Sequence, residues 1–250
     1  MNIIDIHAHL SSYPEGDANA LLRIMDNYGV SKACISNVEG GYYPTPDAIR
    51  YDNETVAKAI AEHPDRFMGA VYINPANPDT MDVLRRGFEE QGMSLVKVWV
   101  AVPDDDRLMD PVMEYTESIG VPVLFHTLLK VQRVIPTEST GINIKRLAKR
   151  HPRSKIIMAH FGGTPYDGLP AIRDCENVWC DYALSIFTGD AMNYAREMLG
   201  AERLLYGSDM AGVSVPVCIG KVLGADFTDE ERELVFHKNA ERLLDRSFRL

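Results

Sequence analysis

The stretch Ile3-Ile4-Asp5-Ile6-His7-Ala8-His9 decides how the rest of the chain is read. Its isoleucines predict a β-strand, and that strand ends in histidines where an open doubly wound sheet would carry a glycine-rich turn. Two residues apart on extended backbone, His7 and His9 share one face, roughly 6.6 Å apart along the chain. That spacing lets both imidazoles converge on an ion bound at about 2.0–2.1 Å from each nitrogen. By the same alternation, Ile4, Ile6 and Ala8 are expected to face surrounding helices. Asp5 is expected on the histidine face one layer below, as an orienting group or a member of a buried polar network.

Seven more short apolar runs follow the first, Ile3–Ile6, at fairly regular intervals: Ala33–Ser36, Phe67–Ile73, Leu95–Trp99, Pro122–His126, Lys155–Ala159, Val178–Asp181 and Leu204–Tyr206. Segments with helical spacing lie between them. Leu21, Leu22, Met25 and Tyr28 fit one helix face; Val56, Ala59, Ile60 and His63 fit another; Ile142, Ile144, Leu147 and Ala148 fit a third. His63-Pro64 and His151-Pro152 mark helix ends, and Thr228 with Glu231 predicts a capping box. Strands alternating with helices mean a parallel sheet covered on both faces, and a count of eight favours closure. The expected fold is a single (β/α)8 barrel of the TIM type, one domain over residues 1–250.

Composition fits a soluble globular protein: 46% hydrophobic and 25% charged residues are ordinary values. A chain of this length buries roughly 70–75% of its unfolded surface, so it needs no staples. Cys34, Cys175, Cys180 and Cys218 lack metal-ligand spacing and read as reduced, packed thiols. The start of the chain lacks a basic, long-apolar leader, and no run of ~18 apolar residues could span a bilayer. A cytoplasmic protein without a membrane partner is expected. The net charge of −10 opposes attraction to a phosphate backbone, so no nucleic-acid partner is expected either.

The seven histidines carry most of the functional signal. His63 and His151 precede prolines at helix ends, where imidazole can interact with terminal carbonyls, and His237 falls within the last helical region. The other four, His7, His9, His126 and His160, fall at strand ends, on the rim where barrels of this type build active sites. Asp209 follows strand eight in Tyr206-Gly207-Ser208-Asp209. In a closed barrel strand eight adjoins strand one, which places Asp209 beside the histidine pair. These residues together point to a metal site.

The sequence resembles the amidohydrolase superfamily, specifically its amidohydrolase-related (amidohydrolase 2) branch. The segments that carry the resemblance are IDIHAH (4–9), SLVKVWV (94–100), GVPVLFHT (120–127), LAKRHPRSKIIMAHFGG (147–163), NVWCDYAL (177–184), LLYGSD (204–209) and NAERLL (239–244). That branch holds metal-dependent hydrolases and non-oxidative decarboxylases of the aminocarboxymuconate-semialdehyde decarboxylase type. Position by position, the resemblance implies that His7, His9, His126 and Asp209 hold a metal and that His160 and Asp209 serve catalysis. One divalent ion is implied, zinc first and manganese second. Binuclear relatives carboxylate a strand-four lysine and often continue K-x-H. Here the segment reads Lys97-Val98-Trp99, which favours one ion and a more apolar wall. Lys97 is then expected as a buried amine paired with a carboxylate. A deoxyribonuclease branch uses glutamate at the position of Lys97 and fits less well.

A divalent ion with an open position lowers the pKa of a bound water toward about 7. Asp209 could orient that water, and His160 could pass protons, because histidine titrates near working pH. The leading expectation is a metal-dependent hydrolase of a small amide, ester or lactone. The alternative is a metal-dependent decarboxylase of an aromatic or muconate-like acid, and a weaker one is a catalytically silent binding barrel. The same ligands serve both reactions. For substrate contacts, Glu39–Tyr43 follows strand two, Trp99 ends strand four, Lys130 and Arg133 follow strand five, and Phe161-Gly162-Gly163 follows His160. Asp104-Asp105-Asp106 reads as a solvated acidic run. A small-molecule substrate is expected, and a homodimer could complete the pocket.

Overall fold

The computed structural model describes residues 2–13, 16–128, 135–184, 189–248 and 250. Eight strands, β1 (Ile3–His9), β2 (Val30–Ser36), β3 (Phe67–Ile73), β4 (Leu95–Val98), β5 (Val123–Phe125), β6 (Ile156–Met158), β7 (Val178–Asp181) and β8 (Leu204–Leu205), pair in chain order. Every pair is parallel. The barrel closes where Ile6 N–H donates to Tyr206 O (2.9 Å) and Asp209 N–H donates to His7 O (2.8 Å). The crossovers carry α1 (Ala18–Tyr28), α2 (Pro46–Glu62), α3 (Thr80–Glu89), α4 (Asp110–Ile119), α5 (Gly141–Arg150), α6 (Pro165–Ile172) and α7 (Gly189–Leu199). After β8 come α8 (Val215–Leu223), α9 (Asp229–Glu233), a π-helical turn over Leu234–Lys238 and α10 (Asn239–Leu244). The fold is the expected (β/α)8 barrel.

Local chemistry explains the helix limits. Asp17 caps α1 by accepting from Ala20 N–H, and Gly29 ends it at φ 73°, a conformation that costs glycine little. The capping box of Thr228 and Glu231 opens α9 as expected, and α2 and α5 stop before Pro64 and Pro152. Leu21, Met25, Val56, Ala59, Ile144, Leu147 and Ala148 are buried, as their spacing predicts. Tyr28 and Ile142 are exposed instead, because each sits at the margin of its apolar stripe. His151 does more than end α5: its Nε2 lies 2.9 Å from Asp110 Oδ1, tying that end to the start of α4. All four cysteines are free, buried thiols.

The strands alternate between two cores. Val96, Val98, Val123, Phe125, Ile156 and Met158 pack outward with the helices. Leu95, Leu124, Ile157, Trp179 and Leu205 form the barrel interior. Ile4 and Ile6 belong to this interior, which corrects the expectation that they face the helices. The cause is an irregularity in β1: Asp5 pairs with Ala33 and Ala8 with Ile35, so three steps on β1 oppose two on β2. Such a bulge inverts the alternation. Below it Ile4 and Ile6 fill the interior; above it Ala8 packs with the helices.

The other end of the barrel is sealed by the chain after α10. Lys155 Nζ donates to the carbonyls of Gly120 (2.9 Å), Leu243 (3.0 Å) and Asp245 (2.9 Å), and Phe248 stands edge-on to Trp179. No helix among the described residues is long and apolar enough to cross a membrane.

Candidate metal centre

The strand ends bring seven polar side chains together: His7 and His9 from β1, Lys97 from β4, His126 after β5, His160 after β6, Asp181 ending β7, and Asp209 after β8. His7 Nε2, His9 Nε2 and Asp209 Oδ1 converge. The two nitrogens are 3.2 Å apart, and Asp209 Oδ1 lies 3.1 Å from His9 Nε2 and 3.6 Å from His7 Nε2. His160 stands on the other side of His7, ring centroids 5.0 Å apart, and His126 stands beside His160 with Nδ1 3.2 Å from its Nε2.

The outer nitrogens of these rings are tethered. His7 Nδ1 is 3.0 Å from Asp181 Oδ2, and His160 Nδ1 donates to Ala183 O at 2.9 Å. Ser36 Oγ lies 3.0 Å from His9 Nδ1 and 3.5 Å from Ala8 O; a hydroxyl donating to that carbonyl accepts from the imidazole. His126 is reversed: Nε2 reaches Glu138 Oε1 (3.2 Å) and Nδ1 faces inward. With their outer nitrogens donating, the inner nitrogens present lone pairs. Lone pairs facing each other at 3.2 Å repel unless a proton or cation lies between them. Ligands around one ion at about 2.0–2.1 Å stand roughly 3–3.5 Å apart in a tetrahedral set. The spacing of His7, His9 and Asp209 fits a divalent ion, and the tethers are those that orient metal-bound histidines.

Burial governs the charge states. It pushes His7 well below the ordinary histidine value, with the nearby Lys97 amine adding to the effect, and it takes His160 down to about 4 with help from His126. Burial also lowers His126, against the opposing pull of Glu138. At neutral pH these imidazoles keep their lone pairs. Burial alone would raise Asp209, but the contact with His9 and the nearness of His7 and His160 outweigh it and hold the carboxyl below its usual range. Lys97, buried and brought down to about 8, is expected beside a carboxylate, but no ion pair joins it to one among the described residues. Its Nζ lies 2.8 Å from His7 Nε2 and donates to it.

Two of these side chains depend on uncommon backbone. His160 and Asp209 sit at φ 60° and 61°, left-handed values that non-glycine residues seldom adopt and that cluster at functional sites. The turn at His160 is packed against α6: a Cβ on Gly168 would meet Phe161 O at 1.9 Å and Gly162 Cα at 3.0 Å. Gly168→Ala is therefore expected to cost about 1–3 kcal/mol by overpacking. Because the clash falls on the turn carrying His160, it should also lower turnover by about tenfold or more. Thermal melting together with kcat checks both; a variant equal to wild type in each would separate α6 from the site.

Residues 4–246 match the family model described as Amidohydrolase. The chain belongs to this amidohydrolase family. No curated protein matches it at significant similarity. Among solved structures, this amidohydrolase resembles 2,6-dihydroxybenzoate decarboxylase from Rhizobium at 19% identity and TM-score 0.80, covering 99% of this chain and 100% of that one. It resembles a dihydroxybenzoic acid decarboxylase from a Polaromonas species, solved with manganese and 2-nitroresorcinol, at 18% identity and TM-score 0.80 (99% and 98% covered). It also resembles 4-oxalomesaconate hydratase from Rhodopseudomonas palustris at 18% identity and TM-score 0.76 (98% and 96% covered). These likenesses establish the barrel.

In this amidohydrolase the mouth beside the donor set is partly aromatic. His9, Val38, Lys97, Trp99, His126 and Asp209 line a cavity of about 210 Å³. Trp99 does not fill the barrel; it lies half-buried at the mouth, edge-on to Tyr42 (centroids 5.0 Å apart). The rest of the β2 loop is anchored, with Glu39 accepting from Ser12 and Gly40 N–H donating to Asp52. Lys130 and Arg133 lie outside the described residues. The acidic run is not solvated throughout. Asp104 is fully buried, its amide donating to Ser139 Oγ, while Asp105 and Asp106 are used by Asn143 and by the turn at Leu108. Burial raises the Asp104 carboxyl well above its usual value. Asp5 joins a buried polar network, accepting from His7 N–H and from Ser208 N–H and Oγ.

Sequence reasoning missed Asp181 and Glu138. Asp181 was legible in principle: counted by twos from the inward Trp179, it points into the barrel at the rim. Glu138 carries no such signal, because it reaches His126 from an irregular segment.

Proposed function

We propose that this chain is a metal-dependent, non-oxidative decarboxylase of a planar aromatic or muconate-like carboxylic acid, using one divalent ion. The observation that carries the reading is the pairing of a His/Asp donor set with an aromatic wall, Trp99 braced by Tyr42, along one small cavity. A flat ring can lie against that wall with its carboxylate toward His7, His9 and Asp209. The two decarboxylases of like fold support this order of preference over hydrolysis, which the sequence alone had favoured. Trp99, at the place of the histidine in K-x-H, supports the count of one ion.

An ion held by His7, His9 and Asp209, with His126 alongside through Nδ1, would supply the positive charge that draws in an acidic substrate. His160 would move the proton. Loss of carbon dioxide from an aryl acid needs a proton on the ring carbon bearing the carboxylate. A C–H bond forms from a ring electron pair, the C–C bond then breaks, and its pair restores the ring. His160 Nε2 can take a proton from a substrate hydroxyl or water and return it to that carbon, since Nδ1 is committed to Ala183 O. Lys97 would hold a substrate oxygen at the cavity wall.

The test is incubation of manganese- or zinc-loaded protein with 2,6- and 2,3-dihydroxybenzoate, following carbon dioxide and the decarboxylated ring, beside a panel of esters, amides and lactones. Carbon dioxide release that stops on chelation is expected. Turnover of the panel with no carbon dioxide from any acid would overturn the reading in favour of hydrolysis.

A further inference from the structure

Asp181 is fully buried at the end of β7 and spends its two oxygens on different histidines. Oδ2 faces His7 Nδ1 at 3.0 Å. Oδ1 accepts from His160 N–H at 2.9 Å and Ala183 N–H at 3.1 Å. Ala183 O in turn accepts from His160 Nδ1 at 2.9 Å, which closes a ring of hydrogen bonds around the left-handed His160. A Cβ on Gly207 would come within 3.0–3.1 Å of Asp181 Cβ and Cγ and of His7 Cβ, so the three residues are in close packing.

We propose that Asp181 is a positioning residue that sets two histidines at once: it holds His7 as the Nδ1–H tautomer, leaving Nε2 open, and pins the backbone that aims His160. The tautomer follows from the donors around the ring. A carboxylate at Nδ1 accepts, so Nδ1 carries the proton. Lys97, which donates, stands 2.8 Å from Nε2, so Nε2 carries the lone pair. His160 takes the same tautomer from Ala183 O, and Asp181 fixes where Ala183 sits. One carboxylate therefore decides which nitrogen each ring shows to the centre. The part about metal affinity rests on His7 as a ligand; the part about the tautomer does not.

Asp181→Asn separates these. The amide is isosteric, and its oxygen can still accept from His160 N–H and Ala183 N–H. Its NH2 group then faces His7 Nδ1 and donates, driving the His7 proton to Nε2. The test is long-range 1H–15N correlation of histidine-labelled full-length protein without added metal, with His7 assigned by His7→Gln. Wild type is expected to carry the proton on Nδ1 and Asp181→Asn on Nε2. Titration with Mn²⁺ or Zn²⁺ against a chelator should show affinity about 10–100-fold weaker in Asp181→Asn. Wild-type His7 protonated on Nε2 overturns the proposal without any variant. Affinity lost with the tautomer unmoved also overturns it, since that is what a merely structural carboxylate would do. A moved tautomer with unchanged affinity upholds the positioning role and counts against His7 as a ligand.

Discussion

Asp209→Asn is expected to weaken divalent-metal binding by about 10²-fold and turnover by about 10³-fold. Asp209 supplies the one carboxylate oxygen in the convergent set with His7 and His9 among the described residues. Without its charge, an ion would face His9 and a His7 imidazole that burial already keeps neutral. Asparagine preserves volume, and the left-handed backbone suits it better than most residues. The Asp209 N–H bond to His7 O should persist as well, so the loss would not be one of folding. The carboxyl lies below its usual range, so it stays ionised and its contribution to metal binding persists through neutral and mildly acid conditions. Chelator competition and kcat measure the two effects. A variant that keeps both metal and rate would remove Asp209 from the centre.

That aspartate also shows how far the chain could be read in advance. Strand eight lies beside strand one in any closed eight-stranded barrel, so a residue just after Leu204–Leu205 must fall near His9. Topology alone supplied that neighbour, as it supplied the placing of His126 and His160 on the same rim. Parity was less secure. Counting by twos from His7 sent Ile4 and Ile6 outward, whereas the bulge between Asp5 and Ala8 turns them inward. Nothing in the composition of Asp5-Ile6-His7-Ala8 marks the inserted residue. Counting from Trp179 on regular β7 would have succeeded with Asp181.

The missed partners share a physical cause. Lys97 was expected beside a carboxylate because charge usually seeks charge, yet the nearest acceptor on the crowded rim is an imidazole lone pair. Asp104 was expected in water because acidic runs usually are, yet the amide of the same residue is drawn inward to Ser139 Oγ. In each case a contact between distant segments decides the environment.

His160→Asn is expected to lower turnover by about 10²–10⁴-fold while metal affinity stays close to that of wild type. Asparagine accepts the φ of 60° at this position more readily than alanine would, so the turn against α6 should survive. What disappears is a group able to take up and release a proton at Nε2. His160 is not in the convergent set of His7, His9 and Asp209, so its loss should leave those donors in place. Burial and His126 bring its pKa down to about 4, so above that value the ring is neutral and Nε2 carries a lone pair. A step that begins with proton uptake by His160 should therefore hold its rate from neutral pH down toward about 5 and lose it as pH falls through 4. Reaction in D₂O gives an independent readout: wild type should place one deuterium on the ring carbon that lost carbon dioxide, and the variant should form that product only slowly. Unchanged kcat in His160→Asn, at equal metal content, would move the proton transfer to another residue. Lys97 would be the first to consider, because it lines the cavity and has an N–H aimed at the centre.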